Sequence, residues 1–146
     1  MTALQEFSMN KTLEEWIKIY EKKSGEKFVR DESYELFYLP DKGFCKIKIT
    51  GGIIIVNQVC GDGRFWKDFS NEIARRMGLK VGKVYFIRKN PKAYIRLLGF
   101  KIVEEKENPQ GTKDFICVND EGKNATVISA YKDKNGNDIY RVMWEV

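Results

Sequence analysis

Apolar residues along this chain alternate between two periods, and the switches mark its elements. Leu13, Trp16, Ile17 and Tyr20 recur at helical spacing, so a helix is expected over residues 12–23 with one core-facing stripe. Asn10 or Thr12 can cap it, Glu14 and Glu15 suit its first turn, Lys22 and Lys23 suit its last, and Gly25 stops it. Strands are expected over 34–39 and 44–50, parted by the turn Pro40-Asp41-Lys42-Gly43. In the second, Cys45, Ile47 and Ile49 alternate with Lys46 and Lys48, which predicts one wet face. After Gly51-Gly52, the run 53–59 no longer alternates, so cover is expected on both of its faces.

A second helix is expected over 64–77, with Phe65, Phe69, Ile73 and Met77 along one stripe and Gly78 as its stop. Residues 83–88 form another apolar strand. Asn90-Pro91-Lys92-Ala93 then opens a short helix, because Asn caps well and Pro favours the first helical position. Gly99 is its left-handed stop, and strands follow at 101–105 and 115–118. The tail predicts a hairpin, 126–131 and 139–146, about Asn135-Gly136. A helix between two strands of one sheet makes a right-handed parallel crossover, so 53–59 and 83–88 should run parallel and splay at their C-terminal ends. The expected class is α+β, a single domain: a mixed, mostly antiparallel twisted sheet with helices on both faces and an extra C-terminal β-hairpin.

The strand-to-helix junction Gln58-Val59-Cys60-Gly61-Asp62-Gly63 carries the candidate chemistry. Glycines there leave backbone N–H groups unshielded at a helix N-terminus, where an anion such as a pyrophosphate is favoured. Arg64 and Lys67 in the first turn, and Arg88 at the end of its strand, are placed to reach phosphates. Asn57 is a polar residue in an otherwise apolar strand and needs a partner, so it is a candidate substrate contact.

The Gln-x-x-Gly-x-Gly loop after a central strand, then helix, strand, Asn-x-x-Ala and Gly-Phe, resembles the GCN5-related N-acetyltransferases (GNAT) over residues 34–105. The resemblance implies acetyl-coenzyme A, with its pyrophosphate on the glycine loop and its pantetheine arm along the preceding strand. It assigns coenzyme contacts to Gln58, Val59, Cys60, Gly61, Asp62, Gly63, Arg64 and Asn90. Two departures stand out. The position where that family commonly carries its acidic tyrosine is Ile95, with Tyr94 one place earlier, and Asp62 puts a carboxylate inside the loop. Tyr94 is the candidate acid, Glu35 the candidate base, and backbone N–H groups near 57–59, released by a bulge, the candidate oxyanion hole. The expected activity is acetyl transfer to a primary amine on a small molecule or protein. The alternative is a GNAT-shaped binding or structural protein without catalysis.

Composition narrows the chemistry further. The chain has no histidine, which removes imidazole bases, the triads built on them and most zinc sites. Three cysteines, Cys45, Cys60 and Cys117, make no C-x-x-C pair and fall in strand patterns, so buried reduced thiols are expected. No apolar run approaches the ~18 residues of a membrane span, and residues 1–10 lack a secretory pattern, so a cytoplasmic location is expected. A net charge of +5 suits a phosphorylated ligand. The basic pairs Lys22-Lys23 and Arg75-Arg76 are too short to argue for nucleic acid, and a homodimer stays open.

Overall fold

The structure is a computed structural model that describes residues 10–87 and 91–146. Among these residues three helices and eight strands follow in the order α1 (Leu13–Ser24), β1 (Glu35–Leu39), β2 (Gly43–Thr50), β3 (Ile53–Gly61), α2 (Gly63–Arg76), β4 (Val81–Ile87), α3 (Pro91–Leu97), β5 (Phe100–Glu107), β6 (Lys113–Asn119), β7 (Asn124–Lys132) and β8 (Asp138–Glu145). Among the described residues the strands form one open sheet, β1-β2-β3-β4-β8-β7-β6-β5. Only the β3–β4 pair is parallel; every other pairing is antiparallel. The α+β class, the mostly antiparallel sheet and the parallel crossover through α2 agree with the sequence pattern.

Local chemistry explains the element ends. Thr12 caps α1 in a reciprocal box with Glu15, and Gly25 closes the helix at φ 72°. Gly51 and Gly52 both take positive φ, the requirement of a two-residue hairpin turn. At Gly82 the reason is packing, since an added Cβ would lie 2.3 Å from the Trp144 indole. Trp144 crosses that bare backbone and donates its indole N–H to Asn71 Oδ1 at 2.7 Å, which locks β8 to α2.

The helices lie on both faces. Phe44 packs with Ile17 and Tyr20 of α1, whereas its neighbour Cys45 belongs to the larger core under α2 and α3. Helix α1 covers only the end of the sheet near Phe44 and Cys60. The outer face of β3 is therefore half open, with Ile53, Ile55 and Asn57 intermediate in exposure. This corrects the expectation of full cover on both sides. The core stripe of α2 is also rotated from the expected one: Trp66, Ser70, Asn71 and Ala74 are buried, and Met77 is 58% exposed beyond the last turn.

The C-terminal hairpin is not an appendage. Strand β8 pairs with β4 along its whole length, from Val81↔Glu145 to Ile87↔Ile139, so the last strand of the chain fills the middle of the sheet. Its turn is longer than the two-residue form suggested by Asn135-Gly136, because Asp133 accepts from the backbone N–H groups of Asn135 and Asn137 and makes a five-residue loop.

Two predictions follow from packing. Gly82→Ala should destabilise by about 2 kcal/mol through overpacking against Trp144, measured as a lower denaturation midpoint with unchanged slope. The cysteines give a pH signature. All three cysteines are buried and outside any disulfide, and burial pushes Cys45 up to about 12 and Cys117 up to about 11, from an ordinary value of 9.0. An acid whose folded pKa is raised contributes stability below its unfolded pKa and loses it as pH rises toward the folded one. Stability should therefore fall between about pH 9 and 12, and a Cys45→Ala, Cys117→Ala variant, though less stable at pH 8, should show a shallower fall in pH-resolved urea melts.

Candidate functional site

Strand β3 contains one more residue than its partner. Lys46 lies opposite Asn57 and Phe44 opposite Cys60, so Gln58 and Val59 together face Cys45. Gln58 takes φ 51° and absorbs the extra residue as a β-bulge. The bulge falls within 57–59, the stretch named as a candidate oxyanion hole, which would need one. It also turns Val59 toward the α2 side, while Gln58 and Cys60 face α1. On the other edge of β3 the parallel ladder with β4 stops at Val56↔Val84, although the strands run on to Gly61 and Ile87. Beyond that point the two strands part.

The opening between them is a cleft. One part, about 240 Å³, has Tyr34, Asn57, Tyr85, Tyr131 and Glu26 in its wall. A second part, about 230 Å³, runs past Gly61 and Gly63 between Trp16, Lys23 and Leu97. Tyr20, Val59 and Tyr94 belong to the walls of both. Tyr94 thus stands where the two parts meet, its ring stacked on Phe86 at 4.0 Å between centroids. Its neighbour Ile95 is 1% exposed in the main core. The short helix turns position 94 to the cleft and position 95 to the interior, which gives the one-place shift of the tyrosine a geometric meaning.

The Gln58 side chain faces away from the cleft's far end and holds a connecting segment to the sheet. Its Oε1 accepts from the Val29 N–H at 3.0 Å and from Lys46 Nζ at 3.1 Å; its Nε2 donates to the Lys27 carbonyl at 3.0 Å. Lys46 also donates to the Val29 carbonyl at 2.6 Å and lies over the Phe28 and Tyr34 rings. It is buried, not on a wet face as its alternation with Cys45 and Ile47 implied, because the 26–34 segment folds across it. Burial, the largest influence, pulls its pKa below the ordinary lysine value.

The glycine loop divides in role. Gly61 has φ 97°, and a Cβ there would lie 2.2 Å from the Lys42 carbonyl; Gly43 opposite is equally tight against Cys60. Gly61 is therefore demanded by strand pairing, whatever binds nearby. Gly63 meets only Leu97, at 3.7 Å, and borders the cleft. Asp62 is the N-cap of α2: its Oδ1 accepts from the Phe65 N–H at 3.0 Å, and its Oδ2 lies 3.6 Å from Lys42 Nζ. Its own N–H donates to the Lys42 carbonyl. Of the first four N–H groups of α2, those of Gly63 and Arg64 remain without a recorded partner among the described residues.

Other sequence candidates separate from the cleft. Glu35 is exposed on edge strand β1, opposite Ile47 and so on the α2 face, away from the wall formed by Tyr34 and Asn57. The Arg64 side chain points to Gly99, beside a separate hollow of about 150 Å³ that also holds Lys67, Asp68 and Glu121. Cys60 packs under α1, with Sγ 3.6 Å from the Trp16 carbonyl. Asn57 does face the cleft, as does Tyr34, whose pKa is raised chiefly by burial. Arg88 and Asn90 lie outside the described residues. The carboxylate in the wall is Glu26, which accepts from the Tyr20 hydroxyl at 2.8 Å. Nothing in the sequence marked it, since 26–33 shows neither period.

No family model, curated protein or solved structure matches the chain. The geometry itself must carry the functional argument. Its first consequence is energetic. Gln58→Ala would strand the Val29 N–H, the Lys27 carbonyl and part of the Lys46 ammonium, at a cost of about 2–3 kcal/mol, whereas Asn57→Ala should cost under about 1 kcal/mol. Denaturant midpoints of the two variants test this.

Proposed function

We propose that the protein is an acetyl-coenzyme A-dependent N-acetyltransferase of GNAT type, with the parted ends of β3 and β4 as its active cleft. The observation that carries this reading is the bulge at Gln58 and Val59, placed where the parallel ladder ends and beside Tyr94. The residues suit the thioester arm of the coenzyme. A β-strand whose neighbour has moved away offers backbone groups to an amide-bearing chain, and the far part of the cleft passes Gly63 at the start of α2. Bound there, the thioester would supply an acetyl group to an amine, forming a C–N bond as the C–S bond breaks and the sulfur leaves as thiolate.

The chain's own groups then have definable tasks. The Val59 N–H, in the bulge, polarises the acyl oxygen. The Tyr94 hydroxyl gives a proton toward the leaving sulfur. Glu26, anchored by Tyr20, receives a proton from the incoming amine directly or through water. Glu26 takes the place given to Glu35 by the sequence.

Asp62 favours the second reading, a GNAT-shaped protein that binds without catalysing. Its carboxylate already occupies the start of α2, where the pyrophosphate of the coenzyme is expected. Both readings meet in one experiment. Asp62→Asn keeps a good cap and removes the charge, so coenzyme A should bind several-fold more tightly by calorimetry. No binding to either form overturns the proposal. Where acetyl transfer is measured, Tyr94→Phe should lower kcat about tenfold, since general acids typically contribute at least that. The wild-type rate should climb from pH 7 to 9 as the neutral fraction of the amine grows. Binding without transfer to any amine would select the second reading.

A further inference from the structure

Glu26 is the charged side chain in the wall of the 240 Å³ part of the cleft, and cations stand outside that wall, beside two of its tyrosines. On one side is the Glu26 carboxylate, held by Tyr20. On the other are the Tyr34 and Tyr85 rings, and each carries an ammonium group: Lys48 Nζ lies 5.5 Å from the Tyr34 centroid, and Lys83 Nζ 5.5 Å from that of Tyr85. Register puts these lysines in one row, Lys48↔Ile55 on β2–β3 and Ile55↔Lys83 on β3–β4, on the half-open outer face of the sheet. Neither makes an ion pair among the described residues, although other lysines do. Asp31 bears on Lys46 and Lys48 only at longer range. Arg141, the register partner of Tyr85, adds a third positive side chain, with its Nε buried and without a hydrogen-bond partner.

We infer that the acceptor, on the functional reading above, is a small primary amine that also carries an anionic group, a carboxylate or a phosphate. The amine end meets Glu26, and the anionic end meets Lys48 and Lys83 at the rim, where they flank Ile55. A cavity of this size lies below the ~300–1,000 Å³ of common ligand pockets, which suits a compact acceptor. A diamine or a basic peptide would bring a second positive charge against two unpaired ammonium groups, and like charges brought together lose affinity. Transfer is as balanced above: the acceptor ammonium loses one proton toward Glu26 and a second toward the sulfur, and the anionic group is unchanged.

The test separates this inference from the coenzyme reading. Calorimetry without coenzyme compares phosphoethanolamine, β-alanine and ethylamine on the wild-type protein and on a Lys48→Glu, Lys83→Glu variant. The two anionic amines should bind at least tenfold more tightly than ethylamine, and the variant should lose that preference while its melting temperature shows it folded. Added salt should weaken phosphoethanolamine more than ethylamine, which has one charge contact to lose instead of two. Ethylamine or 1,5-diaminopentane binding as well as phosphoethanolamine, or a preference that survives the charge reversal, overturns the inference even where coenzyme A binds. Failure of coenzyme A to bind, with the anionic preference intact, overturns only the acetyltransferase reading. An amine-free control, inorganic phosphate, sets the anion contribution: phosphate binding equal to phosphoethanolamine would mean that Glu26 plays no part, and the inference falls.

Discussion

The extra residue in β3 is the constraint on which the site depends. By pushing Gln58 into positive φ, the bulge reverses which side chains face which layer. Val59 enters the cleft beside Tyr94, and the Gln58 amide meets the 26–29 segment and Lys46 instead. That segment brings Glu26 and Phe28 over the sheet, and Phe28 in turn packs edge-on to Phe44 at 5.2 Å. One irregularity thus sets the floor of the cleft, its acidic wall and the burial of a lysine. A regular strand would put Ile54, Val56, Gln58 and Cys60 on one face and leave no such division.

The loop after β3 shows how one motif can serve several physical needs. Gly61 and Gly43 let two backbones approach so closely that a Cβ on either would collide. Asp62 satisfies a helix donor, and Lys42 supplies its countercharge while the Lys42 carbonyl takes the Trp66 indole N–H. Only Gly63 has space beside it. The glycine pattern that suggests an anion site is therefore mostly accounted for by strand pairing and capping.

Much of the fold was legible because its signals are local. Caps at Thr12 and Gly25, the Gly51-Gly52 turn, the α2 crossover and the left-handed stop at Gly99 each follow from a few neighbouring residues. What sequence reasoning missed depends on distant partners. Lys46 is buried because 26–34 folds across it, Gly82 is bare because Trp144 crosses it, and buried Trp66 donates its indole N–H to the distant Lys42 carbonyl, while Met77 lies exposed past the last turn of α2. In the site, the sequence offered Tyr94 on a short capped helix, and named a bulge near 57–59 only as what an oxyanion hole there would require. Glu26 was not, since its position is fixed by a side chain 32 residues away and by Tyr20, and neither leaves a periodic trace.

The central place of β8 has a consequence for how the molecule comes into being. Strands β1 to β3 and helix α2 are contiguous and can associate early, but one edge of β4 pairs with β8, which is made more than fifty residues later. Until then β4, one wall of the cleft, presents unpaired N–H and C=O groups, an invitation to pair with the wrong chain. The closing contact spans more than fifty residues, so loop-closure entropy delays it. Until β8 is made the chain therefore carries an open seam beside the cleft, and that eight-residue strand both seals the seam and holds β4 in place as a wall of the cleft.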